Sequence, residues 1–244
     1  MLLFLVAQGF IRRFFMKLNA FTLAEVLITL GIIGVVAALT MPSLIANTRK
    51  SEYSSKLKKF YSIMNQAIIM SELDNGPAGD WIKDGGIEGD ITDEDGNPDF
   101  GKNSDVIIKY VNQYLKPYIK IVSFGSSNRT IDDDKDHEGE AYMIFADGSY
   151  VYLHNGNCID FNYDVNGPKA PNEFGRDIYK FYLCSNERCE KQPWTTNCGK
   201  FTTTTNRNVT RSSSITNCKN NPIYCSQLLG VDNFEFKKDY PYRL

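Results

Sequence analysis

Apolar and polar positions change their spacing three times along the chain. Residues 1–46 are dense in apolar side chains, 32 of the 46, and Glu25 is their one acid. From Val26 to Thr48 there are 23 residues without a charge. A helix rises about 1.5 Å per residue and a bilayer core is about 30 Å thick, so roughly 20 such residues span it. From Tyr53 the pattern becomes a stripe: Tyr53, Leu57, Phe60, Tyr61, Met64, Ala67 and Ile68 recur at helical spacing, with Arg49, Lys50, Lys56, Lys58 and Lys59 largely off it. No Gly or Pro intervenes between Ser43 and Asn75, and Asn75-Gly76-Pro77 is a stop signal. The pattern predicts one helix from about Phe21 to about Leu73, apolar all round and then amphipathic. Pro42 falls inside it, removes one backbone hydrogen bond and should kink or loosen the helix there. An anchor followed by a separate surface helix is the simpler arrangement of the same pattern.

Two rivals share the apolar run. A secretory signal peptide would explain Arg12, Arg13 and Lys17 before it and Ala37 and Ala38 late in it, but signal cores are shorter and do not open on a Glu. A buried core helix would need a greasier partner than the lean remainder of the chain offers.

Past Asn75 the texture is polar. Between Asp74 and Glu140 there are 16 acids and 7 bases, with glycines closely spaced, which predicts long surface loops around one helix near Ser104–Leu115 capped by Ser104. Strand alternation begins at Ala141. Tyr142–Phe145 and Tyr150–His154 flank Asp147-Gly148 as a hairpin, and Cys158–Tyr163 and Ile178–Cys184 supply two more strands. An antiparallel sheet of about four strands packed on the amphipathic helix would bury the Tyr53–Ile68 stripe, an α+β fold. The tail from Asn186 to Asn221 is rich in Thr, Ser and Asn and would not order itself by apolar burial.

Composition refines this picture in two places. The formal charge of −2 over 244 residues argues against a bulk electrostatic nucleic-acid binder. All six cysteines, Cys158, Cys184, Cys189, Cys198, Cys218 and Cys225, lie beyond the apolar segment, which suits an oxidising, extracytoplasmic head with up to three disulfides among 15 pairings. Their spacing and the presence of only His137 and His154 speak against zinc.

The segment Ala20-Phe21-Thr22-Leu23-Ala24-Glu25-Val26 resembles the processing signal of type IV prepilins and type II secretion pseudopilins. That signal has a short basic leader, a small residue before the cut, an aromatic or apolar residue after it, a Thr/Ser-Leu pair, a Glu at the fifth mature position and a long apolar run. Met16-Lys17-Leu18-Asn19-Ala20 matches the leader, and Pro42 matches the usual mid-helix proline. The likeness covers about residues 16–75. Ala20 stands where Gly is usual, and residues 1–15 make the leader longer and greasier; translation from Met16 accounts for them, a genuine long leader being the alternative.

The resemblance implies a leader (1–20), a transmembrane half (21–46) and an amphipathic half (47–75) of one spine helix, and an extracytoplasmic head (76–244). It implies a filament subunit of a pilus or secretion pseudopilus in the bacterial inner membrane, with other pilin or pseudopilin subunits, a prepilin peptidase and an assembly platform as partners. The peptidase would cut Ala20–Phe21 and methylate the Phe21 amine. Glu25 would then neutralise that ammonium, in a neighbouring subunit or within its own first turn, and so set assembly register. Removing residues 1–20, with three bases and no acid, takes the charge from −2 to −5.

Three further features carry candidate chemistry. Asp160, Asp164, Asn166 and Asp177 offer oxygens of the kind Ca²⁺ takes, and the resemblance adds that major pseudopilins have calcium-stabilised loops; a self-capped Asn-Gly-Pro turn is the plainer reading. The acidic runs at Asp93–Asn97 and Asp132–Asp136 lack the EF-hand Gly and Glu positions. Lys191 to Val231 carries Lys191, Lys200, Arg207, Arg211 and Lys219 without an acid, interleaved with Trp194, Phe201 and Tyr224, a weak nucleic-acid signal that leaves a membrane-anchored binding protein or DNA-uptake pilin as the alternative. No G-x-S-x-G, P-loop, G-x-G-x-x-G or H-E-x-x-H is present, so enzymatic activity is not expected and no cofactor beyond structural calcium is implied.

Overall fold

The computed structural model describes residues 22–86, 89, 91–130 and 138–244, with 128–130, 138 and 139 by backbone alone. The chain divides into two compact units between Ile45 and Ala46. A single helix, α1 (Leu23–Asn75), supplies all the described structure of the first unit and the opening of the second, and it continues through Pro42 without interruption. Within the first unit its apolar side chains are exposed on every face. It is a helix near the N-terminus long and apolar enough to cross a membrane, with none of its apolar window buried, which removes the core-helix reading.

In the second unit the expected stripe is the core side of α1. Tyr53, Leu57, Phe60, Met64, Ala67 and Ile68 are buried. The helix ends where the stop signal lies, with Gly76 at φ +76° and its N–H donating to the Glu72 carbonyl (3.1 Å). A side chain at that φ would be strained, so Gly is what lets the chain leave the helix there.

The second helix, α2 (Phe100–Tyr114), begins four residues before the expected Ser104. Its N-cap is Asp99, whose carboxylate accepts from the Lys102 N–H (3.0 Å). Ser104 is instead a buried interior residue. Asn103 explains the early start: its amide bonds the backbone of Ile91 in both directions, tying the 91–99 loop to the helix's first turn.

Six strands form one antiparallel sheet in sequential order: β1 (Ser123–Thr130), β2 (Glu138–Ile144), β3 (Tyr150–Asn155), β4 (Ile159–Asp164), β5 (Ile178–Leu183) and β6 (Phe201–Thr202). The β2–β3 hairpin turns at Asp147-Gly148, as expected, with Gly148 at φ +79°. Alternation sends Ala141, Met143, Val151, Leu153, Phe161, Tyr163 and Phe181 into the core cluster with the α1 stripe. Phe60 is its centre, stacked on Tyr163 (centroids 4.1 Å apart) and edge-on to Phe145, Phe181 and Phe201. The opposite face is covered too: Tyr152, Phe174 and Ile178 form a second cluster beneath the loop that follows β4, so every residue of β4 is buried. This is the pilin-like α+β layout: a long N-terminal helix, a small antiparallel sheet and a disulfide-tied C-terminal region.

The polar tail is more ordered than its composition suggests. It holds α3 (Asn186–Lys191) and α4 (Arg211–Asn220), and α5 (Cys225–Val231) follows it. Thr210 and Ser213 close a reciprocal capping box on α4, and Arg211 of that helix grips Asp232 and Asp239. The six cysteines pair as Cys158–Cys184, Cys189–Cys198 and Cys218–Cys225.

Candidate functional site

The motif end of α1 is built from four residues. Thr22 Oγ1 accepts from the Glu25 N–H (3.2 Å), while the Glu25 carboxylate accepts from the Thr22 N–H and hydroxyl (both 2.8 Å). This is a capping box: two donors that would otherwise be orphaned at a helix start are satisfied reciprocally. Glu25 therefore has a local task besides the one the motif implies, its carboxylate being held against the Thr22 backbone and hydroxyl. Ala20 and Phe21 themselves lie outside the described residues, as do the leader and His137. Pro42 sits within continuous helix. Gly31 and Gly34 have open space where a Cβ would project.

Of the four candidate calcium residues, three come together and one stands apart: the Asn166 side chain hydrogen-bonds Asp177 and its N–H donates to Asp164, whereas Asp160 lies elsewhere on β4. Asp160 forms a buried ion pair with Lys180 (2.8 Å) on the neighbouring strand. Burial alone would lower the Lys180 pKa, but the Asp160 charge outweighs it and holds the ammonium firmly protonated. Four residues further along β4, about 13 Å at strand rise, Asp164 accepts from the Asn166 N–H (3.2 Å). Asp177 accepts from the Asn172 and Glu173 N–H groups (2.9 and 2.7 Å). Burial pushes the Asp177 pKa up, and those two bonds only partly offset it. Asp164 and Asp177 are engaged by backbone donors and Asp160 by a lysine, the bonding of a self-capped turn, while the Asn166 amide oxygen is buried without a partner. Among the described residues no cluster of three or more His, Cys, Asp or Glu is placed to hold a metal ion. The Asp93 run is likewise an Asx turn, its carboxylate accepting from Asp95 and Asn97 N–H (both 2.9 Å); Asp132–Asp136 is outside the described residues.

Two of the five bases of the tail are committed to its own fold. Arg211 makes four hydrogen bonds to Asp232 and Asp239, and Lys191 pairs with Glu187 (2.8 Å). Phe201 is buried in the core, leaving Trp194 and Tyr224 as the exposed aromatics of the stretch. His154 is structural: its Nδ1 lies 2.9 Å from the buried Glu140 carboxylate, whose other oxygen accepts from the Asn155 N–H.

One feature escaped the sequence reading. Thr202–Thr204, Gln227 and Phe234 line a cavity against Lys58 and Tyr61 of α1. A threonine run in a polar tail carries no spacing that signals such a wall.

A family model described as a family of unknown function (DUF6613) matches residues 43–244. The chain belongs to the DUF6613 family. No curated protein and no solved structure matches it. The DUF6613 match takes in the amphipathic half of α1 and the whole sheet and tail, and it begins within the last residues of the apolar run, past the motif.

Proposed function

We propose that this DUF6613 chain is a prepilin-like subunit of a bacterial type IV filament, a pilus or a type II secretion pseudopilus. It is cleaved after Ala20 and methylated on Phe21 before assembly, with the head outside the inner membrane. The observation that carries the reading is the continuity of α1. One helix starts on the Thr22–Glu25 capping box, runs through an all-round apolar segment, and then supplies the core stripe of the head. A signal peptide cut near Ala37–Ala38 would sever that helix. A further apolar stripe supports polymerisation: Ile69, Met70 and Leu73 project from α1 away from the core and are 53–83% exposed. Gly31 and Gly34 would allow close approach by a neighbouring helix, though their spacing is not the GxxxG pattern.

The test is the N-terminus of the mature protein. Co-expression with a prepilin peptidase and intact-mass analysis should give a chain beginning at Phe21 with one added methyl. A chain left uncut, or cut between residues 37 and 46 by signal peptidase, would refute the proposal.

A further inference from the structure

We propose that the head carries a binding site for an uncharged sugar in the cavity bounded by α1, β6 and α5. The cavity holds about 530 Å³ and adjoins a smaller one of about 180 Å³, the two sharing Thr203, Thr204 and Gln227. The larger lies within the range usual for small-molecule sites.

Gln227 is the first reason to read a ligand here. The residue is only 4% exposed, and its amide oxygen, with no surface open to solvent, has no hydrogen-bond partner. Buried amides are almost always satisfied, so an orphan beside a cavity leaves a bonding position for a bound molecule to fill once the amide turns toward it. Rotation of the amide about its last bond presents either donor or acceptor. Thr203 stands beside it, 9% exposed, and a Cβ on Gly230 would collide with its Oγ1. Glycine at 230 is therefore what lets α5 close against that hydroxyl.

The chemistry of the wall selects the ligand class. Its polar groups are neutral: threonine hydroxyls and the amides of Gln227 and Asn233. Its apolar surface includes two rings, Tyr61 and Phe234. The one cation, Lys58, is paired with Glu235 (3.1 Å), and the described lining holds no carboxylate. An anion would find its charge already answered, and a cation would find none. A sugar ring suits both halves of the surface, its hydroxyls meeting amides and threonines and its C–H face meeting the rings.

A peptide adding to the sheet at β6 is disfavoured by the edge itself. β6 is only two residues long, and just past it Thr202 Oγ1 donates to the Thr204 carbonyl (3.0 Å) and accepts from the Thr204 N–H (3.2 Å), so the edge offers an incoming strand little to extend along. The inference stands on the head alone and is independent of the filament reading.

The experiment uses the full chain in a detergent without a sugar headgroup. Cellobiose, lactose, maltose and chitobiose are titrated by calorimetry and saturation-transfer NMR, with sialyllactose as the charged comparison. At least one neutral disaccharide should bind saturably. Gln227→Met and Thr203→Val should each weaken it at least tenfold, while the melting temperature of Gln227→Met stays level or rises because an orphaned oxygen has been removed. Absence of binding by all four, preference for sialyllactose, or binding unchanged in both variants would overturn the proposal. A Gln227→Met protein that melts lower would also count against it, since the amide would then be structural.

Discussion

Phe60 is where the long helix and the sheet become one core, and replacing it measures that junction. The ring is 2% exposed and meets four others: Tyr163 face to face, and Phe145, Phe181 and Phe201 edge-on at 5.2–5.8 Å between centroids. Truncating a buried Phe to Ala costs about 3–5 kcal/mol, combining lost transfer energy with the cavity left behind. Four rings converging on the site leave little that can collapse into the gap, so Phe60→Ala should fall near the upper end, about 4–5 kcal/mol. Ala46–Leu244 is a unit of 199 residues, for which each kcal/mol shifts the melting temperature by about 2–4 °C. The expected drop is therefore about 8–20 °C, read by near-UV circular dichroism of the full chain in detergent. Ile69→Ala is the control on the same helix: Ile69 is 60% exposed, and surface changes of this kind stay within about 0.5 kcal/mol. A drop under about 4 °C for Phe60→Ala, or equal losses for both variants, would refute the argument that the amphipathic half of α1 is part of the head's core.

Other outcomes follow from single contacts. Glu25→Gln keeps an oxygen able to accept from the Thr22 N–H but loses the charge, so it should insert in the membrane and fail to enter filaments; normal incorporation, scored on purified filaments, would reduce Glu25 to a helix cap. Burial would raise the Asp232 pKa, but hydrogen bonds from Arg211 and Lys237 more than reverse this and hold it below the usual value. The stability this lends is present above about pH 4 and is lost as pH falls through the lowered pKa, so amide protection factors around 232–240, corrected for the intrinsic pH dependence of exchange, should fall between about pH 4 and pH 2 and not between about pH 7 and pH 5. Replacing Cys158 and Cys184 by Ser opens a loop with 26 residues of separation and should cost about 3.5 kcal/mol by chain entropy, against about 2.5 for Cys218 and Cys225 with a separation of 7; equal denaturation midpoints would contradict that ordering. Calcium-dependent protection from heat would show that Asp164, Asn166 and Asp177 hold the ion, and the same melting curve in millimolar calcium and in chelator would remove the calcium reading.

What could be read in advance was whatever has a period. The Tyr53–Ile68 stripe announced the buried face of α1, and Asp147-Gly148 between two alternating aromatic runs announced the hairpin. What went unread had no periodic signal. β1 reads SFGSSNRT and pairs through backbone to β2, and β6 is two residues long, so neither presents an alternating apolar face. The start of α2 was misplaced because Asp99, Gly101 and Asn103 look like loop residues, whereas one carboxylate caps the helix and one amide ties the loop to it. The tail's order was invisible for a related reason. Arg211 is held by two acids 21 and 28 positions away, and nothing in the Arg211 neighbourhood of the sequence reports that distance.

The same logic separates the two ends of this protein as sources of inference. At the N-terminal end function is proposed from local order, because a peptidase and a helix start both read consecutive residues: the Thr22–Glu25 box is complete within four positions. In the head, groups that could meet a ligand are assembled from distant segments. Tyr61, Thr203, Gln227 and Phe234 come from a helix, a strand end, a second helix and a terminal loop. Substitutions at 22–25 should therefore act on processing and assembly without changing the head, whereas Thr203 or Gln227 variants should alter what the head binds and leave the chain able to be cut. Proteins varied at each end and assayed for both properties would show whether the two are as separable as their construction implies.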